Sequence, residues 1–143
     1  MTAGPFAFPD AEALLIGWFS GQLSGVRCVA TLPAELESRL PVLQLVRVGG
    51  AAQTQPWSPG GPLHERIAVD LDAYAGTRAE AADVARAACT RLGELRGVST
   101  GGAVITEVIP NVGPTWRPDY NPHVARFGAT YEVVLRPEWT ERM

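Results

Sequence analysis

The stretch that decides the fold runs from Glu65 to Gly97 and reads ERIAVDLDAYAGTRAEAADVARAACTRLGELRG. Its first ten residues, 65–74, alternate polar and apolar side chains, which predicts a strand with one face in the core and one in water. The segment from Thr77 to Glu80 has the S/T-x-x-E spacing of a capping box, so a helix is predicted to begin there. This helix is amphipathic and ends near Gly97, which fits its C-cap. The stretch therefore supplies a half-buried strand and a helix that can cover its apolar face.

The elements on either side complete one domain in a chain of 143 residues. A first helix follows Asp10, a favourable N-cap, because apolar residues recur at helical spacing as far as Phe19. Strands are predicted over residues 26–30, 42–48, 65–74, 103–109 and 127–136, with one helical turn within 34–40. The predicted fold is α+β: a single, mostly antiparallel sheet of four to five strands, with two main helices packed on one face. Residues 1–9 are predicted to be an irregular lead-in and residues 138–143 a tail.

Two long segments lack any periodic pattern. Residues 49–63 read GGAAQTQPWSPGGPL, and the pair Gly49-Gly50 is predicted to close the strand before them. A loop of about 15 residues is longer than most connections inside a compact domain, and such loops are generally functional or mobile. Pro110 is predicted to end the strand before it, and residues 111–126, which contain three prolines, are also predicted to be irregular. Both segments are therefore candidates for contacts with other molecules.

Composition excludes several classes of protein. The net charge is −3, and all 12 basic residues are arginine. That balance argues against a sequence-independent binder of duplex DNA, which needs a basic surface to displace counterions. Cys28 and Cys89 are too few for a disulfide framework, so two reduced thiols in a cytosolic compartment are expected. No apolar run is long enough to span a bilayer, and the first ten residues do not resemble a secretory signal.

The sequence contains no recognisable catalytic or cofactor motif. There is no glycine-rich phosphate loop and no nucleophile elbow, and neither His64 nor His123 has the spacing of a metal-ligand motif. Asp70 and Asp72 lie two residues apart and share one face of a strand. They are interpreted as acid–base groups, as cation ligands, as a solvated face, or as half of a salt bridge across a subunit boundary. No metal or cofactor is predicted, and the chain is predicted not to be an enzyme.

Three tryptophans lie in proline-rich or terminal segments and not in the apolar periods. They are Trp57, Trp116 and Trp139. Such a side chain either caps the core or anchors a protein–protein contact, because tryptophan buries a large area. For Trp57 the interface interpretation is favoured.

Several segments, taken in order, resemble a known family. They are PDAEALLIGWF, LPVLQLVRVGG with the Gly/Pro loop after it, ERIAVDLDAYAGTRAEAADVARAA, GPTWRPD and ATYEVVLRP. Together they resemble the tail terminator (tail completion, minor tail) proteins of long-tailed bacteriophages, especially those of actinobacterial hosts. The resemblance runs from about Pro9 to Pro137 and consists of the order and lengths of segments.

The resemblance implies a structural, non-enzymatic role in the virion. Members of the family form a hexameric ring at the head-proximal end of the tail, where they end polymerisation of the tube and offer a surface to the head connector. The implied partners are the tail-tube protein, the head–tail connector protein and further copies of the chain. DNA would be met only as it passes through the ring lumen, and no membrane is involved. The implied location is the tail of the virion, after assembly in the host cytoplasm.

Two interface hypotheses follow from this role. Residues 53–63, including Trp57, are expected to contact the tail tube or an adjacent subunit. Asp70 and Asp72 are expected to face an arginine of a neighbouring subunit. The candidate interface residues are Gln53, Gln55, Trp57, His64, Arg47, Asp70, Asp72, Trp116, Arg117 and Arg126.

Three other functions stay open at this point. The first is a head–tail connector or stopper protein of the neck, which shares small size and ring assembly. The second is a small α+β enzyme that uses Asp70, Asp72 and a histidine. The third is a cytosolic module that binds its partner through an edge of its sheet.

Overall fold

The computed structural model describes residues 10–53 and 64–137. The elements in chain order are α1 (Ala11–Gln22), β1 (Arg27–Val29), a 3₁₀ turn (Leu36–Ser38), β2 (Val42–Gln53), β3 (His64–Ala75), α2 (Arg78–Glu94), β4 (Ser99–Thr100), β5 (Ala103–Trp116) and β6 (Ala125–Pro137). The strands form one sheet in the order β1-β2-β3-β6-β5-β4, and only the β1–β2 pair is parallel. The α+β class and the mostly antiparallel sheet are confirmed. The strand number is corrected to six, because the short β4 adds a strand beside β5.

Both helices begin where the sequence predicts. The side chain of Asp10 accepts a hydrogen bond from the backbone N–H of Ala13 at 3.2 Å. The side chain of Thr77 accepts one from the N–H of Glu80, also at 3.2 Å. Each bond satisfies a donor that the first turn of a helix leaves without a partner. In the described part of the chain, neither helix is long and apolar enough to cross a membrane.

The main core lies between the two helices and one face of the sheet. Alternate residues of β3 point into it, from Ile67 to Ala75, and none of them is more than 3% exposed. Phe19 from α1 and Leu92 from α2 are fully buried against the same face. The prediction that the helices cover the apolar face of the alternating strand is thus confirmed. We call this side of the sheet the helix face and the opposite side the polar face.

The glycine pair 49–50 does not end β2. The strand continues to Gln53 through a register shift between Arg47 and Gly49. Gly50 has φ 111°, and a Cβ there would overlap the backbone of β3 at Arg66 and Ile67. Only glycine fits at this position, two residues beyond the bulged Val48. The predicted long loop is therefore wrong for 49–53, and its remainder, with Gln55 and Trp57, lies outside the described residues.

The prolines after Ile109 do not end β5 either. The strand runs on to Trp116 with three register shifts, at 105–107, 110–112 and 112–115. Proline is tolerated there because β5 lies near the edge of the sheet, where the short β4 pairs only with Ala103 and Val104. The prediction of irregular structure is wrong for residues 111–116 and for 125–126, which begin β6, and correct for the turn between them.

Candidate functional site

A buried carboxylate on the polar face defines the candidate site. Asp72 is 5% exposed and is the only buried polar or charged residue in the described ranges. Its neighbours on β3, Leu71 and Ala73, point to the helix face, so alternation sends the Asp72 side chain to the opposite side. A carboxylate removed from water needs charged partners, because burial without them costs several kcal/mol.

Two arginines supply those partners. The Nε and Nη2 atoms of Arg126 donate to the two oxygens of Asp72 at 3.1 and 3.0 Å, which is a bidentate pair. The Nη1 atom of Arg117 donates to Asp72 Oδ1 at 3.1 Å, and its Nη2 donates to the hydroxyl of Thr130, also at 3.1 Å. That hydroxyl in turn donates to Asp70. We call these five residues, Asp70, Asp72, Arg117, Arg126 and Thr130, the arginine–aspartate network.

The network is balanced in charge, with two arginines and two aspartates. The hydrogen bonds that Arg126 donates to Asp72 raise the pKa of Arg126 above its ordinary value. In the described ranges every buried side-chain nitrogen or oxygen has a hydrogen-bond partner. Such a set favours one arrangement of β3, β6 and the end of β5, because removal of Asp72 leaves both arginines without the carboxylate that they share.

Gly128 makes room for the network. It is the register partner of Asp72 on the adjacent strand β6. A Cβ at this position would overlap Asp72 Oδ1 and would lie 2.5 Å from both Cδ and Nη1 of Arg117. The packing of these two side chains over the β6 backbone therefore requires glycine at 128.

These contacts correct the prediction for the paired aspartates. Asp72 is not part of a solvated face, and its arginine partners belong to the same chain and not to a neighbour. Arg47, the third arginine among the candidate interface residues, is not part of this network and pairs with Glu65 at 3.4 Å. The sequence correctly indicates Arg117 and Arg126 as partners of the aspartates, but these ion pairs form within one chain. Whether any of these residues also touches a second subunit stays a prediction.

The histidines do not join the aspartates. His64 is the first residue of β3, so about 26 Å of strand separates it from Asp72. His123 is exposed in the turn between β5 and β6. Within residues 10–53 and 64–137, no group of three or more His, Cys, Asp or Glu side chains could hold a metal ion.

A cleft adjoins the network at the same end of the sheet. Its volume is about 720 Å³, and it lies between the 32–38 segment and the 118–121 turn, with Tyr74 and Arg126 among its lining residues. The Arg126 guanidinium lies 5.7 Å from the centre of the Tyr74 ring, and burial raises the pKa of that tyrosine. Three carboxylates line the walls: Glu35, Glu37 and Asp119. We call this feature the acidic cleft.

The two walls of the acidic cleft are tied together. Asn121 donates from Nδ2 to Glu37 Oε1 at 2.8 Å. The carboxylate of Asp119 accepts the backbone N–H of Asn121 at 3.3 Å. Tyr120, between them in sequence, is 98% exposed. The turn is therefore anchored by its polar side chains while its aromatic ring stands in solvent.

Trp116 lies on the other side of the same sheet end. It is the last residue of β5, and its ring packs edge-on against Phe127 with the ring centres 5.7 Å apart. The guanidinium of Arg78 lies 4.9 Å from the centre of the Trp116 ring. Trp116 is 37% exposed, so it both covers core residue Phe127 and presents a surface.

Arg78 is a residue that sequence reasoning misses. One signal in the sequence could have indicated Arg78. It is the first residue of α2, directly after the N-cap Thr77, and a side chain at this position lies at the end of the sheet. Of the other predicted interface residues, Gln53 ends β2 and His64 begins β3, at the opposite end. Gln55 and Trp57, and also Trp139, lie outside the described residues.

Comparisons with known proteins bear on the fold. No protein-family model matches the sequence, and no curated protein matches it. Among solved structures, the fold is similar to that of a chain described as "Virion of native gene transfer agent (GTA) particle". The match has a TM-score of 0.54 and 13% sequence identity, and it covers 88% of this chain and 87% of that chain. At this identity the likeness shows a shared fold over nearly the whole length of both chains.

Proposed function

We propose that this protein is a structural component of a phage-like particle and acts as its tail terminator. In this role it forms a ring at the head-proximal end of the tail tube, ends tube polymerisation and presents a surface to the head connector. Its function is non-enzymatic, and DNA is met only in the lumen of the ring. The observation that carries the proposal is the fold likeness to a chain of a gene transfer agent virion, because it spans nearly the whole domain.

Two further observations support the narrower role. The sequence segments between Pro9 and Pro137 resemble those of tail terminator proteins in order and length. One of them, GPTWRPD, contributes Trp116 and Arg117. The site is also built as a docking surface would be, with a rigid, charge-balanced network beside an open cleft. A ring needs two different patches on each subunit, one for each neighbour.

The first experiment mixes the protein with the tail-tube protein encoded in the same genome and images the tubes by negative stain. We expect rings on one end of each tube and an end to tube growth, whereas tubes without the protein continue to lengthen. A parallel pull-down offers the head connector as the alternative partner. Binding to the connector alone would assign the protein to the neck, and binding to neither would overturn the proposal.

A second experiment asks which segment meets the tube. Trp57→Ala is expected to reduce the fraction of capped tubes, because a buried tryptophan is a frequent anchor of protein–protein contacts. Trp139→Ala, which removes the same side chain from the predicted tail, tests whether that tryptophan contributes as well. Capping by Trp57→Ala protein at the wild-type level would remove residues 53–63 from the proposed tube contact.

A further inference from the structure

Two surfaces at one end of the sheet face in opposite directions. The acidic cleft lies on the polar face, where Arg126 is one of its lining residues. Trp116 lies on the helix face, against Phe127. Arg126 and Phe127 are consecutive residues of β6, so their side chains point to opposite sides of the same strand. We call Arg78 and Trp116 together the arginine–tryptophan knob.

The acidic cleft has an excess of negative charge. Arg126 is the basic residue among those that line it, and its guanidinium is bound to both oxygens of Asp72. In the described part of the chain, no salt bridge reaches Glu35, Glu37 or Asp119. A cation from another molecule would therefore meet carboxylates that form no salt bridge within the described residues.

The arginine–tryptophan knob is the complementary surface. The Arg78 guanidinium lies over the rings of Trp116 and Phe127, at 4.9 and 5.7 Å from their centres. No carboxylate within the described residues forms a salt bridge with it, whereas Arg86, on the same helix, is paired with Asp83 at 3.7 Å. Stacking holds the guanidinium in place and leaves its N–H donors for a partner.

The edges of the sheet are poor places for a further strand. On β2, Glu12 accepts the backbone N–H of Arg47 at 2.9 Å, and the Arg47 side chain donates to the carbonyl of Gly49 at 3.2 Å. On β5, Pro110 and Pro114 have no N–H to donate, and three register shifts disturb the strand. These are the devices by which natural sheets avoid edge-to-edge pairing. They argue against the sheet-edge binding module and favour contacts made by the faces.

We propose that the arginine–tryptophan knob of one copy docks into the acidic cleft of the next copy. This inference rests on the proposed function, since it identifies one of the contacts between ring subunits. The two surfaces lie on opposite faces, so each copy uses its knob for one neighbour and its cleft for the other. Repetition of such a heterologous contact closes into a ring when the rotation fits. Arg78 would bind Glu35 or Glu37, and Trp116 and Tyr120 would supply the aromatic area.

Charge exchange tests the contact. Arg78→Glu alone, and the double variant Glu35→Arg with Glu37→Arg alone, are each expected to lower ring assembly about tenfold or more, because like charges then meet. A mixture of the two variants is expected to restore rings, since it alternates native and exchanged contacts. Arg91→Glu is the matched control: it reverses an exposed arginine of the same helix, outside the knob.

The chain's lack of lysine allows a direct test. Arg78→Lys places a single side-chain amine at the knob, and a zero-length carbodiimide joins an amine only to a carboxylate that touches it. We expect cross-links between copies that end at Glu35, Glu37 or Asp119, identified by mass spectrometry. Arg91→Lys again serves as the control. Rings from the Arg78→Lys variant without such cross-links, or rings from the Arg78→Glu variant at the wild-type yield, would overturn the contact while leaving the tail terminator role intact.

The converse result is also distinguishable. If wild-type protein caps no tubes, the proposed function fails by itself. The cross-linking of Arg78→Lys protein at high concentration still decides the contact between copies. Cross-links within a copy only, or none to the acidic cleft, would overturn it.

Discussion

The two faces of β3 are equally regular in sequence, but different forces hold them. On the helix face, Ile67, Val69 and Leu71 are buried among other apolar side chains, and their contribution grows with the area removed from water. On the polar face, Asp72 is buried by two arginines in fixed geometry. Apolar burial is non-directional, whereas a paired charge needs its partner in a fixed geometry. The polar face is therefore the more specific of the two, although the helix face supplies more of the stability.

The largest expected effect lies on the helix face. Phe19→Ala removes a fully buried ring of α1 from the main core and should lower the free energy of unfolding by about 3–5 kcal/mol. Gln22→Ala, at an exposed position of the same helix, should change it by less than about 0.5 kcal/mol. Urea unfolding of the three proteins measures both values. A loss below about 1 kcal/mol for Phe19→Ala would mean that α1 is not an essential cover of the sheet.

A smaller loss is expected from the polar face. Asp72→Asn keeps the shape but removes the charge that binds Arg117 and Arg126, and we expect a cost of about 2–3 kcal/mol. Both arginine side chains keep some contact with solvent, which holds the cost below that of a fully buried pair. Asp70→Asn is the matched control, because Asp70 is more exposed, and it should cost less than about 1 kcal/mol. Equal losses at the two positions would contradict a network centred on Asp72.

The same contrast between the two faces explains which features can be predicted from the sequence. The alternation from Ile67 to Ala75 and the caps at Asp10 and Thr77 depend on neighbours in sequence, so both helix starts and the helix face are predictable. The pairing of Asp72 depends on residues 45 and 54 positions away, which become its neighbours only through the strand order.

Glycine and proline mislead for a related reason. Gly50 and Pro110 are residue types that usually end strands, and local sequence predicts that they do so here. Strand β2 accommodates Gly50 beside a bulge against β3, and β5 accommodates Pro110 because it lies near the sheet edge. Both conditions follow from topology and not from local sequence. Of the predicted interface, Trp57 and Gln55 stay predictions, and Arg78 emerges only from the packing of α2 against Trp116.

Gly128 tests whether the network is as tightly packed as its contacts indicate. Gly128→Ala should cost about 1–3 kcal/mol, because the new Cβ overlaps Asp72 and Arg117. Gly113→Ala is the matched control, since Gly113 also lies in a strand and a methyl group added there would meet nothing within 4 Å. Combining Gly128→Ala with Arg117→Ala should cost less than the sum of the two, as a double-mutant cycle in urea would show. Simple additivity would mean that the methyl group does not meet Arg117.

The smallest expected effect is on the pH dependence of stability, and it differs between a tyrosine on the helix face and one on the polar face. Burial, with a bond to Cys89, raises the pKa of Tyr131 on the helix face to about 12, while an unfolded chain has a tyrosine pKa of about 10. Below pH 10 both states keep the proton. Between about pH 10 and 12 the unfolded state releases it first, so stability falls as pH rises. At pH 10.5 this loss is on the order of 1 kcal/mol, and Tyr131→Phe should remove it.

Tyr74 on the polar face should behave differently. Burial also raises its pKa, but the positive charge of Arg126 opposes the rise. The free energy of unfolding, measured with urea at about pH 8 and pH 10.5, falls between the two pH values. We expect Tyr74→Phe to reduce this fall less than Tyr131→Phe does. An equal or larger reduction for Tyr74→Phe would show that burial and the charges of Asp72 and Asp119, which raise the pKa of Tyr74, outweigh the opposing charge of Arg126.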